Sequence, residues 1–102
     1  MNNNEVIDHP NYYRLPCGRD LEDYIAWRGL FFEPGSALKY YWRAGKKFGE
    51  SREKDIAKYN HYCRLVSDRT GETIENVRRS VVRLADDAAK WDGVETLLVT
   101  QP

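Results

Sequence analysis

Between Pro34 and Gly49 the sequence places Lys39, Arg43, Lys46 and Lys47 without one acidic side chain among them, interleaved with Tyr40, Tyr41 and Trp42. Guanidinium forks and ammonium charges bind phosphate oxygens, and flat rings stack on bases at about 1 to 3 kcal/mol per base. Gly35 and Ser36, read as the start of a helix, would add backbone N–H groups as a third kind of phosphate donor. These residue types point to a guest that is small, anionic and flat, a nucleotide or a nucleotide-derived molecule. Tyr13 and Tyr40 are the expected stacking rings, with Tyr41 and Trp42 assigned to packing. A rise of 1.5 Å per residue separates the helix start from the lysines at its end by about 15 Å. A single phosphate cannot touch both, so the guest would need two phosphate groups or a site shared between subunits.

The competing reading of the cationic run is that lysine and arginine near a helix C-terminus complement its dipole, which contributes about 0.3 to 1 kcal/mol. His9 precedes Pro10, which biases its backbone to an extended form; it would act chemically or pin the N-terminal segment through one hydrogen bond. His61 and Cys63 are two residues apart on an expected helix and point about 200° apart, so they do not form a metal pair, and no metal or cofactor is expected. Arg79, Arg83, Asp86, Asp87 and Lys90 read as a solvated helix face with internal ion pairs.

Four helices would position these groups. Polar 1–5 is followed by Val6 to Cys17, with two prolines, expected to lie extended across the body. Leu21, Tyr24 and Ile25 keep helical spacing from Asp20 to Arg28, with acidic residues in the first turn and Gly29 as the stop. Leu30, Phe31 and Phe32 would then connect to a second helix opened by Pro34-Gly35 and running to Ala44, with Gly45 in the left-handed conformation after it. On that helix Leu38, Tyr41 and Trp42 share the apolar face, and Lys39 and Arg43 fall on an outward one. A third helix is expected from Ser51 to about Asp68 on the stripe Ile56, Tyr59, Cys63 and Val66, broken by Gly71. A fourth follows Thr73, with Ile74, Val77, Val81, Leu84, Ala85, Ala88 and Trp91 on one face until Gly93. The apolar Thr96-Leu-Leu-Val99 would dock as a short extended segment or reach a neighbouring subunit.

The expected class is therefore all-α, a compact bundle of about four helices with an extended N-terminal segment, in a single domain of 102 residues. A formal net charge of zero argues against long nucleic acid as a partner and leaves electrostatic work to local patches. No apolar run approaches the roughly 20 residues of a membrane span, and nothing resembles a leader, so no membrane association, a cytoplasmic location and reduced Cys17 and Cys63 are expected. Aromatic residues make up 13% of a small chain, and with the apolar tail this favours a homo-oligomer.

The stretch His9-Pro-Asn-Tyr-Tyr13, the run Gly35-Ser-Ala-Leu-Lys-Tyr-Tyr-Trp-Arg-Ala-Gly-Lys-Lys47, then Glu53-Lys-Asp-Ile-Ala-Lys58 and Tyr62 resemble a small phage-encoded domain family of unknown function, the SaV-like domains. The resemblance covers Val6 to about Leu65; Tyr12 stands where the family has a second histidine, Ser36 where it has asparagine, and the helix beyond Gly71 is an addition. A similar domain forms the C-terminal part of a podoviral nucleotide kinase. The resemblance implies a phage protein in the host cytoplasm that handles nucleotides or their derivatives, with His9, Tyr13, Lys39, Arg43, Lys46 and Lys47 as binders. Three functions are in play. The first is sequestration of a small phosphorylated immune signal, cyclic nucleotide or ADP-ribose in type, without chemistry. The second is a nucleoside monophosphate kinase, with Lys39 or Arg43 on the transferred phosphate and Asp55 or Glu53 holding magnesium, although no Gly-x-x-x-x-Gly-Lys-Ser/Thr loop is present. The third is a protein-interaction module docking on a host enzyme through Phe31, Phe32 and Phe48. Arg43→Ala is expected to abolish ligand binding and leave the helices intact.

Overall fold

The computed structural model describes residues 11–46 and 51–94. Within them a short 3-10 turn, Asn11–Tyr13, leads into four helices: α1 (Leu21–Arg28), α2 (Phe32–Arg43), α3 (Arg52–Thr70) and α4 (Ile74–Lys90). The described residues contain no strand, only an isolated bridge between Arg14 and Asp20. The all-α expectation holds, and so do most helix ends, because local chemistry sets them. The Asp23 carboxylate accepts the backbone N–H of Asp20 at 3.1 Å, and Gly29, at φ 75°, closes α1 by donating to the carbonyls of Ile25 and Ala26. Ser51 accepts the N–H of Lys54 at 3.1 Å, and Thr73 that of Asn76 at 3.1 Å.

One boundary differs. α2 starts at Phe32, with Phe31 as an N-cap that makes no side-chain hydrogen bond, so Phe32 belongs to the helix and Pro34-Gly35 lies inside its first turns. Proline is tolerated throughout a first turn, whose N–H groups lack intrahelical partners; it marks that turn and not its first residue.

α2 runs along the middle of the bundle, against both α3 and α4. Its Ala37 and Leu38 are fully buried beside Tyr59 and Cys63 of α3 and Val77, Val81, Ala85 and Ala88 of α4. Gly35 lets α1 approach closely: a Cβ there would stand 3.2 Å from Cγ2 of Ile25. The end of α4 is fixed to α1 by rings. Trp91 stacks on Trp27 with centroids 5.3 Å apart and meets Tyr24 edge-on at 5.7 Å, while the Tyr24 hydroxyl donates to Asp87 at 2.7 Å. Arg19 lies over the Trp91 ring at 5.3 Å and donates to the carbonyl of Gly93 at 2.7 Å. Cys17 and Cys63 are both free thiols, and Cys63 is buried. No helix among the described residues is long and apolar enough to cross a membrane. The tail from residue 95 lies outside the described residues.

Candidate functional site

Four of the expected binding residues come together, but not as an open pocket. Arg43 was placed on an outward face and instead is 7% exposed, reaching across to α3, where Nη2 and Nε both donate to Oδ1 of Asp55 at 2.6 and 3.1 Å. Its remaining Nη1 donates to the Tyr13 hydroxyl at 3.4 Å. The hydrogen bonds to Asp55 hold the guanidinium pKa above its ordinary value, and burial raises that of Tyr13, against the opposing pull of Arg43 and Lys39. The ring of Tyr40 lies parallel to Tyr62 at 5.8 Å, with the Arg43 guanidinium 4.9 Å and the Lys58 ammonium 5.2 Å from its centroid. Lys39 sits 5.5 Å from the centroid of Tyr13 and bonds to Glu22 at 3.2 Å. Every group here already has a partner. The cluster anchors the 3-10 turn and ties α2 to α3, so the rings expected to stack on a base are engaged within the protein.

The expected phosphate donors at a helix start also change role. The N–H of Gly35 donates to the carbonyl of Phe31 at 2.9 Å, so neither Gly35 nor Ser36 stands at an open helix end. Both line a shallow groove beside Phe31, Phe32 and Lys39. His9, Lys47 and Phe48 lie outside the described residues. Asp55 is fully buried against Arg43, which does not suit the magnesium-holding role considered for it.

Lys46 belongs to a different face, and there the missing features of the site appear. A cleft of about 380 Å³ opens where the end of α2, the start of α3 and the last turns of α4 meet. Tyr41, Trp42 and Lys46 form one wall, Arg52 and Ile56 a second, and Ala85, Asp86 and Ala89 a third. The turn brings the two cations together: Gly45, at φ 81°, takes the left-handed conformation that glycine favours, and the Arg52 chain packs over it, where a Cβ would be 3.5 Å from Cδ. The Lys46 ammonium lies 4.5 Å from the Trp42 ring centroid, and burial lowers its pKa. Neither Lys46 nor Arg52 has an ion-pair partner among the described residues, unlike Arg43, Lys39, Arg14 and Arg69. Arg52 is the first residue of the 19-residue α3, at the positive end of its dipole, so its charge does not serve the helix.

The cleft therefore offers two cations and two aromatic residues, with one carboxylate, Asp86, opposite. Such a set can hold an anionic group and a flat ring together. Arg52 carries no signal in the sequence, because it lies outside the cationic run from Pro34 to Gly49 and is followed by the acidic Glu53 and Asp55. Trp42 was assigned to packing, and it is half-buried with part of its surface in the cleft. His61 and Cys63 diverge as their spacing requires, His61 exposed against Tyr62 and Cys63 buried. Comparison with protein-family models, with curated proteins and with solved structures finds no match to this chain.

Proposed function

We propose that this protein binds a small phosphorylated, nucleotide-derived molecule in the Trp42–Lys46–Arg52 cleft and holds it without chemical change. The observation that carries this reading is the pair of cations without ion-pair partners among the described residues, beside an indole, in a cleft whose volume lies in the low range of small-molecule pockets, about 300 to 1,000 Å³. Phosphate oxygens would take Lys46 and Arg52, drawing the Lys46 ammonium off the Trp42 ring so that a base could lie on the indole; Tyr41 already packs on Tyr59 at 5.4 Å. The requirement for two phosphate groups falls away, because the helix start is no longer one of the donors. Holding is favoured over catalysis by the lining: among the described residues Asp86 is its only carboxylate, with no histidine or cysteine beside it. The likeness to phage-encoded domains extends the proposal to sequestration of a cyclic nucleotide or ADP-ribose-type signal.

Calorimetry with AMP, a cyclic mononucleotide, ADP-ribose, adenosine and inorganic phosphate tests the reading. A phosphorylated nucleotide should bind and adenosine or phosphate alone should bind far less. Lys46→Ala and Arg52→Ala should each weaken binding by about 10-fold or more, the loss of one charge-assisted hydrogen bond. Because burial lowers the Lys46 pKa, affinity should fall with rising pH before an ordinary lysine would titrate. Silence across the panel at millimolar concentration would remove the proposal. Magnesium, ATP and a nucleoside monophosphate should emerge from incubation unchanged; a phosphorylated product would replace binding with kinase chemistry.

A further inference from the structure

At the opposite end of α2 from the cleft, about 16 Å along the helix at 1.5 Å per residue, two consecutive aromatic rings are largely exposed, Phe32 touching Tyr62 edge-on at 5.8 Å. Phe31 is 75% exposed and Phe32 71%, the highest values among the large hydrophobic side chains described. Phe31 also occupies an N-cap, where the side chains of Ser51 and Thr73 in α3 and α4 each accept a backbone N–H and that of Phe31 accepts none. The helix gains nothing from phenylalanine at that position. Beside the rings lies a groove of about 220 Å³ floored by Ile25, Leu30 and Gly35 and edged by Glu22 and Lys39, which pair at 3.2 Å.

We propose that this surface joins two copies of the chain about a two-fold axis, each inserting Phe31 into the groove of the other. Three observations select a second copy over a foreign protein. Ring and groove adjoin on one surface, the arrangement an isologous contact needs, since each copy must supply both halves. The rim carries one charge of each sign, Glu22 and Lys39, so a two-fold sets Lys39 of each copy against Glu22 of the other. The chain has zero formal net charge, which removes long-range repulsion between copies. Four phenylalanine rings at about 150 to 250 Å² each, with just over seven-tenths of each still exposed, contribute about 440 to 730 Å² of the roughly 1,000 Å² that a specific interface should clear. The cleft at the far end of α2 stays open in such a dimer.

Sedimentation velocity of the full chain at micromolar concentrations should give a species of twice 12.0 kDa. Phe31→Ser with Phe32→Ser should raise the dissociation constant by about 30-fold or more while circular dichroism of the monomer stays helical; because Phe32 meets Tyr62 edge-on at 5.8 Å, Phe31→Ser alone is the variant whose thermal unfolding should not fall below that of the wild-type monomer. Glu22→Lys and Lys39→Glu should each weaken the dimer, and mixing the two variants should restore it, because the mixed pair recovers both opposite-charge contacts. A wild-type chain that stays monomeric at 100-fold higher concentration overturns the proposal and leaves the patch to a foreign protein. So does a dimer that survives loss of both rings, or a mixture that fails to re-form. Nucleotide binding is read independently in each variant, so failure here leaves the cleft untouched.

Discussion

A single side chain separates two ways in which a cation can be used here. Arg43 and Lys46 are three residues apart in one sequence run, yet Arg43 is buried on Asp55 and Lys46 has no carboxylate partner among the described residues. Periodicity cannot tell them apart, because Asp55 lies twelve residues on in another helix and the pairing exists only once α2 and α3 pack. Arg43 therefore holds the fold together, and the expectation that Arg43→Ala leaves the helices intact must be revised. Removal would strand a fully buried carboxylate whose Oδ2 already lacks a hydrogen-bond partner among the described residues, at a cost of about 3 to 5 kcal/mol. Urea unfolding should show that loss for Arg43→Ala. The double variant Arg43→Met with Asp55→Leu, which removes both charges, should recover most of it. Equal stability of wild type and Arg43→Ala would mean that the pair is not buried in solution.

At the scale of elements, caps, stops and apolar stripes are legible in the sequence because they are local. Ser51 and Thr73 cap their helices, Gly29 and Gly71 end theirs with φ of 75° and 81°, and Val77, Val81, Ala85, Ala88 and Trp91 form the buried stripe of α4. These signals act within four residues or repeat every three or four, so sequence carries them. The start of α2 was misplaced because Pro34 is compatible with several positions in a first turn. The cleft was half legible: Lys46 and Trp42 lie in the run that drew attention, but Arg52 joins them through the turn at Gly45, and Asp86 through the docking of α4. The caps supply a prediction of their own. Ser51→Ala and Thr73→Ala should each cost about 1 kcal/mol, and the double variant should lose the sum to within about 0.5 kcal/mol, since the two sites share no partner. Thermal unfolding resolves this, at about 4 to 8 °C per kcal/mol for a domain near this size. A double variant no worse than either single one would show that the two helix starts are not independently capped.

For the molecule as a whole, the closure that matters is between its first and last helices, and it is ionisable. Tyr24 of α1 is fully buried, and its hydroxyl donates to Asp87 of α4, beside the Trp27–Trp91 stack that joins the same two helices. Burial first, then the hydrogen bond to Asp87, pushes the Tyr24 pKa up to about 12 from the ordinary 10.0. A folded-state pKa above the unfolded one means that the unfolded chain loses its proton first. The contribution is therefore complete below pH 10 and is lost as pH rises toward 12, at up to about 1.4 kcal/mol per pH unit. Burial also raises the Tyr59 pKa, so wild-type stability should fall more steeply in this window than one phenol would dictate. Tyr24→Phe should be about 1 kcal/mol less stable at pH 8, where only the hydrogen bond is missing. Above pH 10 its decline should be shallower by one proton, and the two curves should converge. Urea midpoints from pH 8 to 11.5, with phenolate absorbance followed in parallel, measure both slopes. Parallel curves would show that Tyr24 titrates no differently in the folded and unfolded chains, and that α1 and α4 are not locked through its hydroxyl.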